Sequence, residues 1–196
     1  MSTAPVRVIS FYTEKTPYEQ EIVHLKNSCD QLGIPIEITP LPSEGSWEKN
    51  VAQKPRFIYE KLCSCSTPLL WVDADAVFLK EPDFSLFAQV DFSVRFMQIF
   101  QNNPQYALNA GTLFVNQTEA ARILIAQWVA ECGRLSHPAP PPFVDQISLY
   151  NVLLKNQAAK VLPMPVSYCK IFDMDQFFID DAHVIIEQRQ ASRKWR

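Results

Sequence analysis

Glycine, long apolar runs and an excess of one charge are all scarce in this chain of 196 residues. Only four glycines stand against fifteen prolines. This balance favours rigid connections over the glycine-rich loops that cradle phosphate in many nucleotide-binding proteins. No apolar stretch approaches the roughly 20 residues that a membrane span needs. A net charge of −3 gives no reason to expect a nucleic acid as the main partner.

The composition predicts one folded domain in a reducing compartment. Apolar residues make up 47% and charged residues 20% of the chain, which excludes a disordered protein, and the length suffices for one core over residues 1–196. Five cysteines without regular spacing argue against a disulfide framework. Cys63 and Cys65 are too close for a CxxC pair and are interpreted as packing residues. Residues 1–5 do not resemble a signal peptide, so we expect a cytoplasmic protein.

The order of predicted elements is that of an α/β protein. Apolar runs predict strands at residues 6–11 and 34–38, and the helix between them is predicted to begin at a Thr16 cap and to end at Gly33. Another helix is predicted near Pro55. Further strands are predicted at residues 91–96, 110–115, 161–162 and 184–186, with helices capped by Thr118 and Asp145. This alternation favours a mostly parallel sheet with helices on both faces.

The most informative segment runs from Leu69 to Val72 and then into Asp73 and Asp75. Four apolar residues in a row predict a strand buried on both faces. The two carboxylates are expected on one face of this strand at its carboxyl end, where open α/β sheets bind ligands. Because they would repel each other, a positive group is expected beside them. Hard carboxylate oxygens select Mg²⁺ or Mn²⁺, which usually also bind a substrate phosphate. The alternative interpretation is a solvated strand end or a turn.

Other candidate ligand-binding residues lie at strand ends and helix starts. Tyr12 could stack on a nucleobase and Thr13 could form a hydrogen bond with it, although Tyr12 could equally close the strand end. Lys54 and Arg56 flank a predicted helix start and could meet a phosphate or a base, or could be isolated surface cations.

A second group of candidates lies in the later part of the chain. Asn109 could bind a sugar hydroxyl, and the small Gly111 could let a ligand approach the backbone, although a turn with a bulge would also explain this pair. Asp145, which precedes Gln146, is already explained as a helix cap. The basic chain end could clamp a diphosphate or be a solvated tail. It contains Arg189, Ser192, Arg193, Lys194 and Arg196.

The order of these short motifs resembles that of nucleotide-diphospho-sugar transferases of the GT-A type over nearly the whole chain. The matching motifs are Phe11-Tyr12-Thr13, Gly45-Ser46-Trp47, Lys54-Pro55, Trp71-Val72-Asp73-Ala74-Asp75, Asn109-Ala110-Gly111-Thr112, Asp145-Gln146 and Gln190-Ala191-Ser192-Arg193. The resemblance implies a Rossmann-like GT-A domain that transfers a hexose-like sugar from a nucleotide diphosphate to a glycan, lipid or protein acceptor. It leans toward retention of the anomeric configuration.

The resemblance also implies roles for individual residues. Asp75 would bind the divalent cation, and Asp73 would contact the cation or the ribose. Asp145, Gln146 and Asn109 would act at the catalytic centre. The remaining residues would bind the nucleotide sugar, and these are Tyr12, Thr13, Trp47, Lys54, Arg56, Gly111, Ser192, Arg193 and Lys194.

One position departs from the family pattern. Related transferases often carry a metal-binding histidine shortly before the final Ser-Arg segment, and Gln188 stands at that place in this chain. Its amide oxygen is a weaker ligand than an imidazole, so Gln188 is predicted as the third ligand of a weakened site. His183 lies five residues earlier and would need a different backbone path.

Two other functions remain open. A phosphatase of the haloacid-dehalogenase type also begins with an apolar strand and a D-x-D motif, which Asp73 and Asp75 fit, and Asp180 and Asp181 resemble its later acidic pair. However, that motif should open the domain, whereas about seventy residues precede it here. A catalytically weak nucleotide-sugar-binding module is the non-enzymatic alternative, suggested by Gln188 and the short chain.

Overall fold

A computed structural model describes residues 5–97, 103 and 106–195, with only the backbone described for residues 194 and 195. Its strands are β1 Arg7–Thr13, β2 Ile36–Leu41, β3 Leu69–Val72, β4 Ala76–Phe78, β5 Phe92–Phe96, β6 Leu108–Val115, β7 Val161–Pro163, β8 Lys170–Ile171 and β9 Ile186–Gln188. Its α-helices are α1 Tyr18–Leu32, α2 Trp47–Ala52, α3 Lys54–Ser64, α4 Glu119–Leu135, α5 Val144–Lys155 and α6 Ser192–Trp195. Short 3₁₀ turns span Phe84–Phe87, Val166–Tyr168 and Asp181–His183.

Six strands form the main sheet, in the order β2-β1-β3-β6-β5-β7. β1 is parallel to β2 and β3, and β5 is parallel to β7, whereas β6 is antiparallel to both of its neighbours. Five strands therefore point one way and β6 the other. The prediction of an α/β fold with a mostly parallel sheet is confirmed. The carboxyl ends of β1 and β3 meet the amino end of β6 at one edge of the sheet.

The sheet is covered on both faces, as its apolar strands predict. All four residues of β3 are buried. Trp71 belongs to an apolar cluster that includes Phe57 of α3 and Trp128 of α4, whereas Leu70 belongs to a second cluster that includes Leu25 of α1. Neighbouring residues of a strand point to opposite faces, so the two clusters lie on opposite sides of the sheet.

A smaller sheet joins the end of the chain to the acidic segment. Its order is β4-β9-β8, and Ala76 of β4 is paired with Gln188 of β9. β3 ends at Val72, so Asp73 and Asp75 lie in the connection to β4 rather than on the strand. The prediction that both carboxylates share one strand face is therefore wrong. The tight connection instead turns the chain from one sheet to the other.

Helix boundaries follow the sequence signals in part. Gly33 ends α1 in the left-handed conformation, at φ 67°. At the start of α1, the N-cap position is occupied by Pro17, one residue after the predicted Thr16. Thr16 Oγ1 still accepts a hydrogen bond from Tyr18 N at 3.3 Å, but the Glu19 carboxylate accepts one from Lys15 N rather than from Thr16 N. The prediction that Asp145 caps α5 is wrong, because the helix begins at Val144 and Asp145 lies inside its first turn. Helix capping therefore does not explain why Asp145 is buried.

The β5–β6 pairing contains an irregularity near the edge where β1, β3 and β6 meet. Val94 is opposite Leu113, but the next residue, Arg95, is opposite Asn109. The three β6 residues 110–112 thus have no partner on β5. Gly111 lies in this segment, and a Cβ atom placed on it would come within 2.8 Å of the Gln188 side chain and 2.9 Å of Asn109 Oδ1.

Replacing Gly111 by alanine should therefore destabilise the fold. We expect Gly111→Ala to lower the free energy of unfolding by about 1–3 kcal/mol, because the new methyl group overlaps buried neighbours. Gly133→Ala is the matched control, since no described atom lies within 4 Å of its added Cβ. In helix α4 it should raise stability by about 0.5–1 kcal/mol. Urea denaturation checks both, and a Gly111→Ala protein as stable as the parent would contradict this packing.

Candidate functional site

A cavity of about 580 Å³ opens at the edge where β1, β3 and β6 meet. This volume is in the range of small-molecule sites. Eleven of the residues predicted from the sequence line it, and these are Tyr12, Thr13, Trp47, Lys54, Asp73, Asp75, Asn109, Asp145, Gln146, Ser192 and Arg193. Residues from six separate parts of the sequence thus converge on one space.

A buried ammonium group links the acidic residues of this cavity. Lys54 Nζ lies 2.7 Å from Asp145 Oδ2 and 2.9 Å from Asp73 Oδ1. Lys54 and Asp145 are only 5% and 4% exposed. Burial opposes the charge on Lys54, but the carboxylates of Asp145 and Asp73 outweigh it and hold its pKa above the ordinary value. The positive group expected beside the D-x-D motif is this lysine of α3.

The two aspartates of the motif have different environments. Asp73 Oδ1 also accepts a hydrogen bond from Trp71 Nε1 at 3.0 Å. Asp75 is 7% exposed, and its Oδ2 accepts a hydrogen bond from the backbone of Ala191 at 2.6 Å. Burial, together with the nearby Asp73 charge, raises the pKa of Asp75 to about 7. Asp73 is thus balanced by Lys54, while Asp75 lacks a comparable counter-charge among the contacts described here.

Gln188 and Gly111 lie behind the cavity wall. Gln188 is fully buried, its Nε2 donates a hydrogen bond to Thr112 Oγ1 at 2.8 Å, and its Oε1 has no hydrogen-bond partner among the described residues. Neither residue is part of the described cavity lining. The small size of Gly111 was expected to admit a ligand, but it is the Gln188 amide that approaches it. Asn109 Oδ1 accepts the Gly111 N–H at 2.8 Å, which fixes the asparagine at the cavity edge.

The end of the chain forms another wall of the cavity. Asp75 holds this segment twice, since its carbonyl oxygen also accepts a hydrogen bond from Arg189 N at 3.1 Å. Ser192 and Arg193 line the cavity, and the Arg193 guanidinium forms an ion pair with Asp173 at 2.5 Å. The D-x-D connection and the C-terminal basic segment are therefore in direct contact.

The predicted donor-binding residue Arg56 is not brought into this space. Arg56 is exposed, outside the described lining, and forms an ion pair with Glu60 at 2.8 Å. Lys194 lies in α6, and its side chain is outside the described structure. At this helix start, the side chain of Lys54 points into the cavity, whereas that of Arg56, two residues later, is exposed.

Several cavity residues were not predicted from the sequence. Tyr18, Tyr106 and Phe143 line the cavity together with the predicted Trp47. Trp47 Nε1 donates to the Tyr18 hydroxyl at 3.2 Å. The signal that could have found Phe143 is its position between a proline run and Asp145. Tyr18 and Tyr106 lie beside predicted motifs, at the start of α1 and just before β6.

Metal and membrane features are limited within the described residues. No group of three or more His, Cys, Asp or Glu side chains in residues 5–97, 103 and 106–195 could hold a metal ion. In the same part of the chain, no helix is both long and apolar enough to cross a membrane.

Asp180 and Asp181, the possible second acidic pair of a phosphatase, lie outside the described cavity lining, and Asp181 pairs with Lys170.

Comparison with solved structures identifies the architecture. The structure is similar to a glycosyltransferase involved in glycosylation of the major capsid of PBCV-1, with a TM-score of 0.66 and 14% identity over 95% of this chain and 93% of that one. It is also similar to the glycosyltransferase GlyE of Streptococcus pneumoniae TIGR4, with a TM-score of 0.60 and 12% identity over 94% of this chain. The aligned region spans 55% of GlyE. At these identities the likeness shows a shared glycosyltransferase fold. No family model and no curated protein matches the sequence.

The raised pKa of Asp75 predicts a pH-dependent stability. Between about pH 4 and pH 7 the folded protein keeps a proton on Asp75 that the unfolded chain has lost, so the free energy of unfolding falls as the pH rises. Asp75→Asn removes this titration and should reduce that fall by on the order of 2–4 kcal/mol. Urea denaturation at pH 5 and pH 8, with a chelator present, measures the difference. The exposed Asp30→Asn is the control, and equal pH dependence in the parent and Asp75→Asn would contradict the burial described.

Proposed function

We propose that this chain is a glycosyltransferase with a GT-A type fold, which moves a sugar from a nucleotide diphosphate donor to an acceptor. The shared fold supports a transferase, but the cavity carries the proposal. It combines a D-x-D pair, the amides of Asn109 and Gln146, the carboxylate of Asp145 and the C-terminal Ser192 and Arg193 around one space. Carboxylates and amides suit sugar hydroxyls, and hydroxyl and guanidinium groups suit a diphosphate.

The proposed donor lies along the sheet edge. Tyr12 and Thr13 at the end of β1 would contact the base, and Thr13 is already held by Thr16, with 3.0 Å between the two hydroxyl oxygens. Ser192 and Arg193 would contact the diphosphate. Arg193 is exposed and paired with the exposed Asp173, so exchanging this partner for a phosphate costs little. Asn109, Asp145 and Gln146 would then surround the transferred sugar.

The residues of this chain would stabilise charge during the transfer and position the sugar. In the transfer, the bond between the anomeric carbon and the diphosphate oxygen breaks, and its electron pair leaves with the nucleoside diphosphate. The acceptor oxygen forms the new bond, and its proton passes to the leaving diphosphate or to solvent. Asp145 Oδ2 already contacts Lys54 Nζ at 2.7 Å. Its proposed role is to stabilise positive charge on the sugar carbon and to orient the sugar hydroxyls.

A divalent cation fits this site only through oxygen ligands. Asp75 and the second oxygen of Asp73 would hold it, whereas Gln188 would have to turn its buried amide out from behind Gly111. The unpartnered Gln188 Oε1 and the raised pKa of Asp75 are the observations compatible with such a cation. When bound, Mg²⁺ or Mn²⁺ would neutralise charge on the departing diphosphate. Without an imidazole, we expect the cation to bind mainly together with the nucleotide.

A thermal-shift screen tests the proposal. Nucleoside diphosphates and their sugars are added in large excess, with and without Mn²⁺ or Mg²⁺. A ligand present at about 100 times its dissociation constant contributes about 2.7 kcal/mol. We expect one nucleotide class to raise the melting temperature, and Asp75→Ala to remove the cation-dependent part of the shift. Asp30→Ala, an exposed change far from the lining, is the matched control. Release of nucleoside diphosphate from the stabilising donor then measures turnover.

The screen also separates the alternatives. Stabilisation by a nucleotide sugar with no turnover on any acceptor or on water would identify a binding module. Hydrolysis of p-nitrophenyl phosphate without any nucleotide shift would identify a phosphatase. If no nucleotide changes the melting temperature, the proposal is wrong.

A further inference from the structure

Three aromatic rings from separate parts of the chain form a continuous wall on the cavity. The ring centroid of Phe143 lies 5.5 Å from that of Trp47 and 5.4 Å from that of Tyr106, with interplanar angles of 80° and 65°. All three residues line the cavity, and Tyr106 remains 42% exposed. We call Trp47, Phe143 and Tyr106 the aromatic wall. It is joined to Asp145 through the first turn of α5.

Phe143 takes an unfavourable backbone conformation to reach this position. Its φ of 59° and ψ of 30° lie in the left-handed region, which is costly for a bulky side chain. A glycine or asparagine would satisfy the same backbone at lower cost. Strained residues of this kind concentrate at ligand sites. The strained residue here is the central member of the aromatic wall, two positions before the buried Asp145.

The polar groups beside the wall disfavour an anionic occupant. The charged lining residues in the described structure are three carboxylates, Asp73, Asp75 and Asp145, and two cations, Lys54 and Arg193. Lys54 is already bound by two of the carboxylates, and Arg193 would be engaged by the diphosphate of the proposed donor. A donor diphosphate would add further negative charge. An occupant of the wall should therefore be neutral, with an apolar face for the rings and hydroxyls for the amides.

This geometry points to a neutral pyranose as the acceptor, stacked on the aromatic wall with Phe143 as the residue that determines its binding. The axial C–H groups on one face of a pyranose carry partial positive charge, and they are attracted to the negative face of an aromatic ring. Asn109 and Gln146 lie in the same cavity to bind its hydroxyls. The assignment to the acceptor, rather than to any bound sugar, rests on the proposed transferase function.

Saturation-transfer NMR on the full chain tests this inference without the unidentified natural acceptor. The probes are methyl β-glucopyranoside, methyl β-galactopyranoside, methyl α-mannopyranoside and, as the anionic match, methyl β-glucuronide. We expect at least one neutral glycoside to receive saturation, strongest at the protons of one ring face, and the glucuronide to receive less. Phe143→Gly removes the ring while accommodating the backbone, and should weaken binding about two- to tenfold.

Two further variants keep the test decisive. Tyr106→Ala changes an exposed wall residue and should also weaken binding, even if Phe143→Gly is poorly folded. Phe177→Ala removes a ring that is 87% exposed but outside the described lining, and should leave binding unchanged. Equal saturation in the parent, Phe143→Gly and Tyr106→Ala, or no saturation of any neutral glycoside, would overturn the inference. The nucleotide shift is measured on the same samples. A protein that binds nucleotide but no glycoside overturns only the wall assignment, and one that binds neither overturns the proposed function too.

Discussion

The ammonium of Lys54 holds the candidate site together. It lies between Asp73, which follows a central strand, and Asp145, which lies in the first turn of α5. Removing one member of a buried charge network leaves the others uncompensated, which is strongly unfavourable. The lysine therefore fixes α3, the β3–β4 connection and α5 relative to one another. In the proposed function it also sets the chemistry, because its contact with Asp145 Oδ2 holds that carboxylate in place to stabilise positive charge on the sugar.

The rest of the site geometry follows from the arrangement of β1, β3 and β6 at one edge of the main sheet. The reversed β6 brings Asn109 and Gly111 beside the carboxyl ends of β1 and β3, and its irregular pairing with β5 opens a segment against which Gln188 packs. The small second sheet carries the end of the chain back to Asp75. Helix α3, strand β6 and the C-terminal segment are thus each attached to the acidic connection by hydrogen bonds or ion pairs. A ligand there would meet a site that is largely formed before it binds.

Sequence reasoning correctly predicted features that depend on a local sequence pattern. The apolar run before Asp73 predicted a buried central strand, and Gly33 predicted a helix end, because both depend on neighbours along the chain. It failed where a contact joins distant segments. Asp145 was explained as a cap since aspartate is common there, yet its partner Lys54 comes from another helix. Gly111 did mark a close approach, but the approaching group is Gln188. The position of Phe143 between the proline run and Asp145 did not reveal its left-handed backbone, which depends on how the proline loop packs.

The state of Lys54 is the most direct test of this account. Nitrogen-detected NMR of the lysine side chains, with Lys54 assigned by its loss in Lys54→Met, follows the charge of each ammonium as the pH rises. A lysine side chain ordinarily titrates near a pKa of about 10.4. The account predicts that Lys54 stays charged at pH 10.5, held by Asp73 and Asp145. Titration of Lys54 at or below the ordinary pKa of a lysine would contradict it.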